Sequence, residues 1–227
     1  MAHVPIVSLN TMTEFVKHRQ RLSEDHAKIL KAYCLEAMWS LFVNNNRAAS
    51  LYYHNNYHAM WMMVNCYNMS MNHEMDDNDR RLLLIAAMFH DFDHSGGVLL
   101  DKANIAAART GVYRHVDIND IDKKVVIYLI KITEFPFAYE PITIQEKIIR
   151  DSDIMQGMTP FVNKIIYHDL FCELLTRTPT LTYERFIALQ REFHEKSVMY
   201  TPEGLKCKEE FVTTYGRAFM DILVSNT

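Results

Sequence analysis

At 227 residues, with 49% of them apolar or aromatic, the chain can bury one substantial core without needing a second domain. Six glycines and six prolines are few for a turn-rich sheet protein, so composition favours helices. A net charge of -4 excludes a surface built to neutralise long stretches of nucleic-acid backbone and suits a small ligand instead.

The first ten residues carry neither a basic start with an apolar run nor a small-residue cleavage site, and no later stretch has the length of a membrane span, so the expectation is a cytoplasmic protein without a membrane partner. From Thr11 to Val43, Phe15, Leu22, Ile29, Leu30, Tyr33, Ala37, Met38 and Leu41 recur mostly at three- and four-residue steps, which predicts one amphipathic helix or two. The run Asn44 to Asn46 breaks it. Further helices are predicted over about Asn56–Met69, Arg80–Phe92, Leu100–Thr110, Ile118–Ile132, Ile144–Met155, Pro160–Leu175, Thr182–Tyr200 and Pro202–Val224, with Gly96 and Gly97 closing a turn after the second of these. The expected fold is all-α: a single compact domain over 1–227, with a motif core at about 52–155 and C-terminal helices at about 160–225 packing on it. Cys34, Cys66, Cys172 and Cys207 lack metal-knuckle or redox-pair spacing, so free thiols are expected.

Three separated segments carry chemistry: Tyr53-His54-Asn55-Asn56-Tyr57-His58-Ala59, Phe89-His90-Asp91-Phe92-Asp93-His94-Ser95-Gly96, and Arg150-Asp151-Ser152-Asp153. Each ends or begins an apolar helix. Imidazoles and carboxylates together suit a divalent transition metal, and His58, His90, Asp91 and Asp153 would offer two nitrogens and two oxygens. Adjacent side chains point about 100° apart on a regular helix, so His90 and Asp91 can share an ion only near a helix end. His90 and His94 are one helical turn apart and would share a face, as would His54 and His58. A lone histidine beside an apolar run is more often structural than a ligand. The combination of His-x-x-x-His, His-Asp-x-x-His and a distant Asp-x-Asp tips the balance towards a site.

The series His, His-Asp, Asp resembles the signature of the HD superfamily of metal-dependent phosphohydrolases over about Tyr52 to Met155. Within it, His-Asn-x-x-His-Ala and His-Asp-x-Asp-His-x-Gly resemble the core motifs of cyclic nucleotide phosphodiesterase catalytic domains. The resemblance implies a helical HD-type domain that holds one or two divalent ions (Zn²⁺, Mn²⁺, Mg²⁺ or Fe²⁺). It implies His58, His90 and Asp153 as ligands of a first metal, Asp91 as a bridge to a second, His54 as general acid, and His94 near the second metal or the phosphate. Asp151 is the alternative to Asp153, which is preferred because related triphosphohydrolases use the second carboxylate of the pair. Ser95 and Leu99 depart from the phosphodiesterase pattern, where Pro and Asn are usual, and the downstream acidic residue of those enzymes has no identifiable counterpart. Asn104 resembles the Asn that follows the His-Asp motif in small bacterial HD hydrolases.

The implied activity is hydrolysis of a nucleotide phosphodiester by metal-activated water. The alternatives are a nucleoside triphosphate or alarmone phosphohydrolase, a non-catalytic nucleotide-binding module, and a di-iron oxygenase on the same scaffold. Asn104, Lys102, Gln190 and Phe193 are candidate substrate contacts, although Lys102, Arg109 and Arg114 read more readily as a solvated helix face. His115 could add a ligand, while His168 and His194 read as structural. The stretch Phe135-Pro136-Phe137-Ala138-Tyr139 could wall a base but is expected to be a packed loop. Oligomeric state is left open.

Overall fold

The structure, a computed structural model, describes residues 7–224, with side chains through Thr214. The outer ends of the expected domain, 1–6 and 225–227, lie outside the described residues. The fold is all-α, with no strand among the described residues. Helix α1 (Leu9–Ala32) is capped by Ser8, whose hydroxyl accepts the Thr11 N–H. A left-handed Cys34 (φ 53°) separates it from α2 (Glu36–Asn45), so the first periodic stretch forms two helices. A short 3₁₀ turn, Arg47–Ser50, leads to α3 (Asn56–Ser70), whose first turn is capped by the Asn55 side chain.

Helix α4 spans Asp77–Phe89, beginning and ending about three residues before the stretch that periodicity predicts. It starts early because Asp76 accepts the Asp79 N–H, and it ends early because the chain turns at Phe89 and enters a left-handed Asp93 (φ 60°). Asp93 is held there by Arg47, which donates its backbone N–H and two guanidinium N–H groups to the carboxylate, and by its own N–H bond to Asn46. Asp is among the few side chains that tolerate this conformation. Then follow α5 (Asp101–His115), α6 (Asp120–Ile132) and α7 (Ile144–Met155), the last with the predicted boundaries.

Beyond α7, the expected single helix at 160–175 is three pieces: α8 (Val162–Lys164), a π-helical segment (Ile165–Leu170) and α9 (Phe171–Arg177). The wider π turn shifts the helical phase, a device common near functional sites. Helix α10 (Tyr183–Lys196) stops four residues before its predicted end, and α11 (Pro202–Val224) begins after the break.

Every residue from Leu82 to Phe89 is buried, so α4 is apolar all round and must sit at the centre. It packs with α3, α6 and α7 around Met62, Met63, Leu84, Met88, Ile130 and Ile148. A second cluster, built on Ile154, Val162, Ile166, Phe171 and Phe186, belongs to the later helices. Tyr57 and Met155 pack against both clusters. No described helix is long and apolar enough to cross a membrane, and all four cysteines are free thiols.

Phe42 is 1% exposed and lies between Trp39, Phe89 and Phe92, with ring centroids 5.2–5.8 Å away. Phe42→Ala should therefore cost about 3–5 kcal/mol, read as a lowered urea midpoint with an unchanged m-value.

Candidate metal centre

The end of α4 at Phe89 frees His90 and Asp91 from the helical 100° rule, and both side chains turn to one point. His58 reaches it from the first turn of α3 and Asp153 from the last turn of α7. The His58 and His90 Nε2 atoms are 3.0 Å apart. Asp91 Oδ2 stands 3.3 Å from the first and 3.2 Å from the second, and Asp153 Oδ1 stands 3.4 and 3.7 Å away.

What lies behind the rings decides what these atoms can be. His90 Nδ1 is 2.9 Å from the Ala87 carbonyl, which can only accept, so Nδ1 carries the ring proton. His58 Nδ1 is 2.6 Å from Gln156 Oε1 and donates likewise. Both Nε2 atoms are then lone pairs facing each other and two carboxylate oxygens. Four converging acceptors need a positive charge between them. Ligand atoms about 2.0–2.2 Å from one ion stand about 3–3.5 Å from one another, close to the separations seen here. His58, His90 and Asp91 can hold a divalent cation, with Asp153 beside them, and His54, His94 and Glu173 form a second such group.

Without a cation, one proton takes up part of this task. Burial disfavours an imidazolium at His58, but hydrogen bonds and charge from Asp153 and Asp91 outweigh it and raise the pKa to about 10. Although burial favours protonation of Asp91, His90 and His58 hold its carboxyl well below the usual range.

Asp151 is elsewhere. It is buried and accepts from the Tyr200 N–H (3.0 Å), the Thr201 N–H (2.7 Å) and the Thr201 hydroxyl (2.6 Å), tying α7 to the start of α11. Its carboxylate is engaged there, whereas that of Asp153 lies beside His58 and His90.

His54 precedes α3 and does not share a helical face with His58, and His94 lies beyond α4 and does not share one with His90. Both expectations required helices that run further. Instead the His54 and His94 rings stack, with centroids 3.7 Å apart. Glu173, 1% exposed, grips His54 Nδ1 and also accepts the backbone N–H groups of Tyr53 and His54. Burial works against a charge on His54, but Glu173 overcomes it and raises the pKa. For His94, burial and then the His54 charge depress the pKa to about 4. The two imidazoles of the stacked pair are therefore pushed in opposite directions, His54 towards the charged form and His94 towards the neutral one. Glu173 was not identified from the sequence.

A cavity of ≈ 290 Å³ opens over Asp91, Asp153, His54 and His94. One wall carries Thr133, Phe135 and Phe137, so this segment is not simply a packed loop. Facing it are Gln190, Phe193 and His194 of α10, the last read from sequence as structural. Phe193 meets Phe135 at 5.4 Å and Phe137 at 6.4 Å. Ile154, Ile166, Leu170 and Leu174 close the floor. Among the described residues lining the cavity there is no Lys or Arg.

Lys102 is not a cavity residue. It follows Asp101 on α5, whose inward positions are Asp101, Asn104 and Ile105, and the helical step turns its ammonium into solvent. Arg109 and Arg114 are likewise exposed. Asn104 lines the cavity, but its side chain is committed to the Ser95 N–H, to His94 and to Asp101, so it sets the turn that carries His94. That turn needs Gly96 and Gly97, both at positive φ, where a Cβ would also meet Leu51 and Leu174 at 2.9 Å. His115 packs on Phe92, and His168 bonds Asp169, both away from the centre.

No protein family, curated protein or solved structure matches this chain.

Two outcomes check the centre. Asp153→Ala should abolish stoichiometric binding of Mn²⁺ or Zn²⁺ by the folded protein. Asp151→Ala should instead lower stability by about 1–3 kcal/mol for each donor left unpaired, with metal still bound. The second concerns protons. His58 holds a proton at neutral pH until a cation displaces it, so calorimetry in buffers of different ionisation enthalpy should show about one proton released per ion. Apparent affinity should rise about tenfold per pH unit from 6 to 8.

Proposed function

We propose that this protein is a metal-dependent phosphohydrolase whose substrate is a nucleotide phosphodiester. The observation that carries the reading is the set of four converging acceptors beside a cavity into which His54, an imidazole whose pKa is raised by Glu173, is also brought. The order His58, His90-Asp91, Asp153 along the chain, and its resemblance to the HD pattern, supports it.

A divalent cation held by His58, His90, Asp91 and Asp153 would offset negative charge on the phosphate and make water more acidic. The residues around it do the rest. Asp91 faces the cavity and orients the attacking water by accepting its proton. Water oxygen joins phosphorus as the bond to the leaving oxygen breaks, and His54 gives that oxygen its proton. Glu173 holds Nδ1, so the proton leaves from Nε2, and the same carboxylate keeps the imidazole charged until then. His94, neutral and stacked on His54, fixes the ring plane without competing for the proton.

The cavity walls favour a diester over a triphosphate. A triphosphate or alarmone brings several negative charges, usually met by Lys and Arg, and neither is found among the described lining residues. A diester brings one. Phe135, Phe137 and Phe193 offer flat faces to a base, and Gln190 offers an amide with both a donor and an acceptor.

The test is product analysis by mass spectrometry with cyclic mono- and dinucleotides, nucleoside triphosphates and guanosine alarmones in Mn²⁺ or Mg²⁺. Hydrolysis of a cyclic nucleotide by the wild type and not by Asp91→Ala is expected. Turnover of triphosphates alone, or oxygen uptake with Fe²⁺, would overturn the reading. His54→Gln should lose about 10²–10⁴-fold in rate on a nucleotide diester and far less on a nitrophenyl diester, whose leaving group needs no proton. Wild-type activity should fall as pH rises through the raised His54 pKa, because the acid form is then lost, and this limb should vanish in the variant.

A further inference from the structure

Arg150 is the largest of the fully buried side chains, 1% exposed, on the helix that carries Asp153. Among the described residues it forms no ion pair with a carboxylate. A buried guanidinium is costly unless its donors are met and is not placed in a core for cohesion alone. Here three of its five N–H donors go to backbone. Nε donates to the Ile132 carbonyl at 2.6 Å, Nη2 donates to the same oxygen, and Nη2 also donates to the Tyr139 carbonyl at 3.0 Å.

Ile132 and Tyr139 are the two ends of the segment that carries Thr133, Phe135 and Phe137 into the cavity. The guanidinium also lies over the Phe137 ring, 3.9 Å from its centroid. One planar group thus closes both ends of the loop and supports its middle. The loop's only other polar tie to the site side is the Phe135 N–H, which donates to Asp101 Oδ2 at 2.7 Å among the described residues. Arg150 and Asp153 are three residues apart and share one face of α7, so the turn that presents the metal carboxylate also sets the aromatic wall.

We propose that Arg150 is the positioning residue of the recognition wall, holding the 133–139 loop at a fixed distance from the metal carboxylates so that a bound base and its phosphate are in register. Arg150 touches neither phosphate nor ion, and its effect runs through Phe135 and Phe137. Lysine cannot replace it, because an ammonium lacks the planar fork that spans two carbonyls and stacks on a ring. The kinetic consequence rests on the phosphodiester reading, whereas the hold on the loop does not.

The test compares wild type with Arg150→Lys and Arg150→Ala. Hydrogen exchange read by mass spectrometry should show faster exchange over 133–140 in Arg150→Lys, with α3, α4 and the Asp153 turn still protected and Mn²⁺ stoichiometry unchanged. On the diester that the wild type hydrolyses, KM should rise about tenfold with kcat little changed. Millimolar guanidinium chloride should restore protection and KM in Arg150→Ala, whose deletion leaves room for it, while the exchange of Arg150→Lys decides the matter if the alanine variant fails to fold. Unchanged exchange over 133–140 in Arg150→Lys, or a kcat loss parallel to loss of Mn²⁺, would overturn the proposal. If the wild type hydrolyses no diester, the functional reading fails while the exchange and rescue still decide whether Arg150 holds the wall.

Discussion

Two imidazole lone pairs 3.0 Å apart cannot coexist in a buried place without positive charge between them, and the structure around the centre is arranged to keep them so. The Ala87 carbonyl takes the Nδ1 proton of His90, and Gln156 takes that of His58. Each partner fixes a tautomer and a ring direction at once, which is how outer groups prepare a metal ligand. The remaining features follow from holding these rings still. Helix α4 is buried on all sides and cannot rotate, and its abrupt end is secured by the Arg47 bonds to a left-handed Asp93.

The second arrangement is electrostatic. His54 and His94 are stacked at 3.7 Å, yet Glu173 backs only one of them, and it raises the pKa of that ring while the other's falls. Two groups of one chemical type acquire different proton affinities beside a single buried carboxylate. The cavity above them has no Lys or Arg among its described lining residues.

The fold class and the four acceptors were legible because their signals are local. Apolar periodicity gave α6 and α7 nearly to the residue, and the His-Asp pair at the end of an apolar run marked a helix terminus. Gln156 was legible in principle, being three residues past Asp153. Glu173 was not: it lies 119 residues from His54, and an isolated Glu in an apolar helix carries no sign of its partner. Residues 165–170 escaped for another reason, since a π turn changes phase without changing composition. The shared faces expected for His54 with His58 and for His90 with His94 failed because a four-residue spacing implies neighbours only inside a continuous helix. Lys102 failed on direction, one helical step from an inward Asp101.

The acceptors that gather around the centre sit on α3, the end of α4 and α7, within the first apolar cluster, whereas much of the cavity floor and the α10 side belong to elements of the second. Tyr57 and Met155 form the seam. The acceptors and much of the cavity lining thus belong to different parts of the core, which meet at these two residues. Side chains on the second part can be exchanged, enlarging or reshaping the cavity, while the geometry that gathers two nitrogens and two oxygens is left alone. Such a division separates the residues that fix the acceptors from those that shape the space beside them.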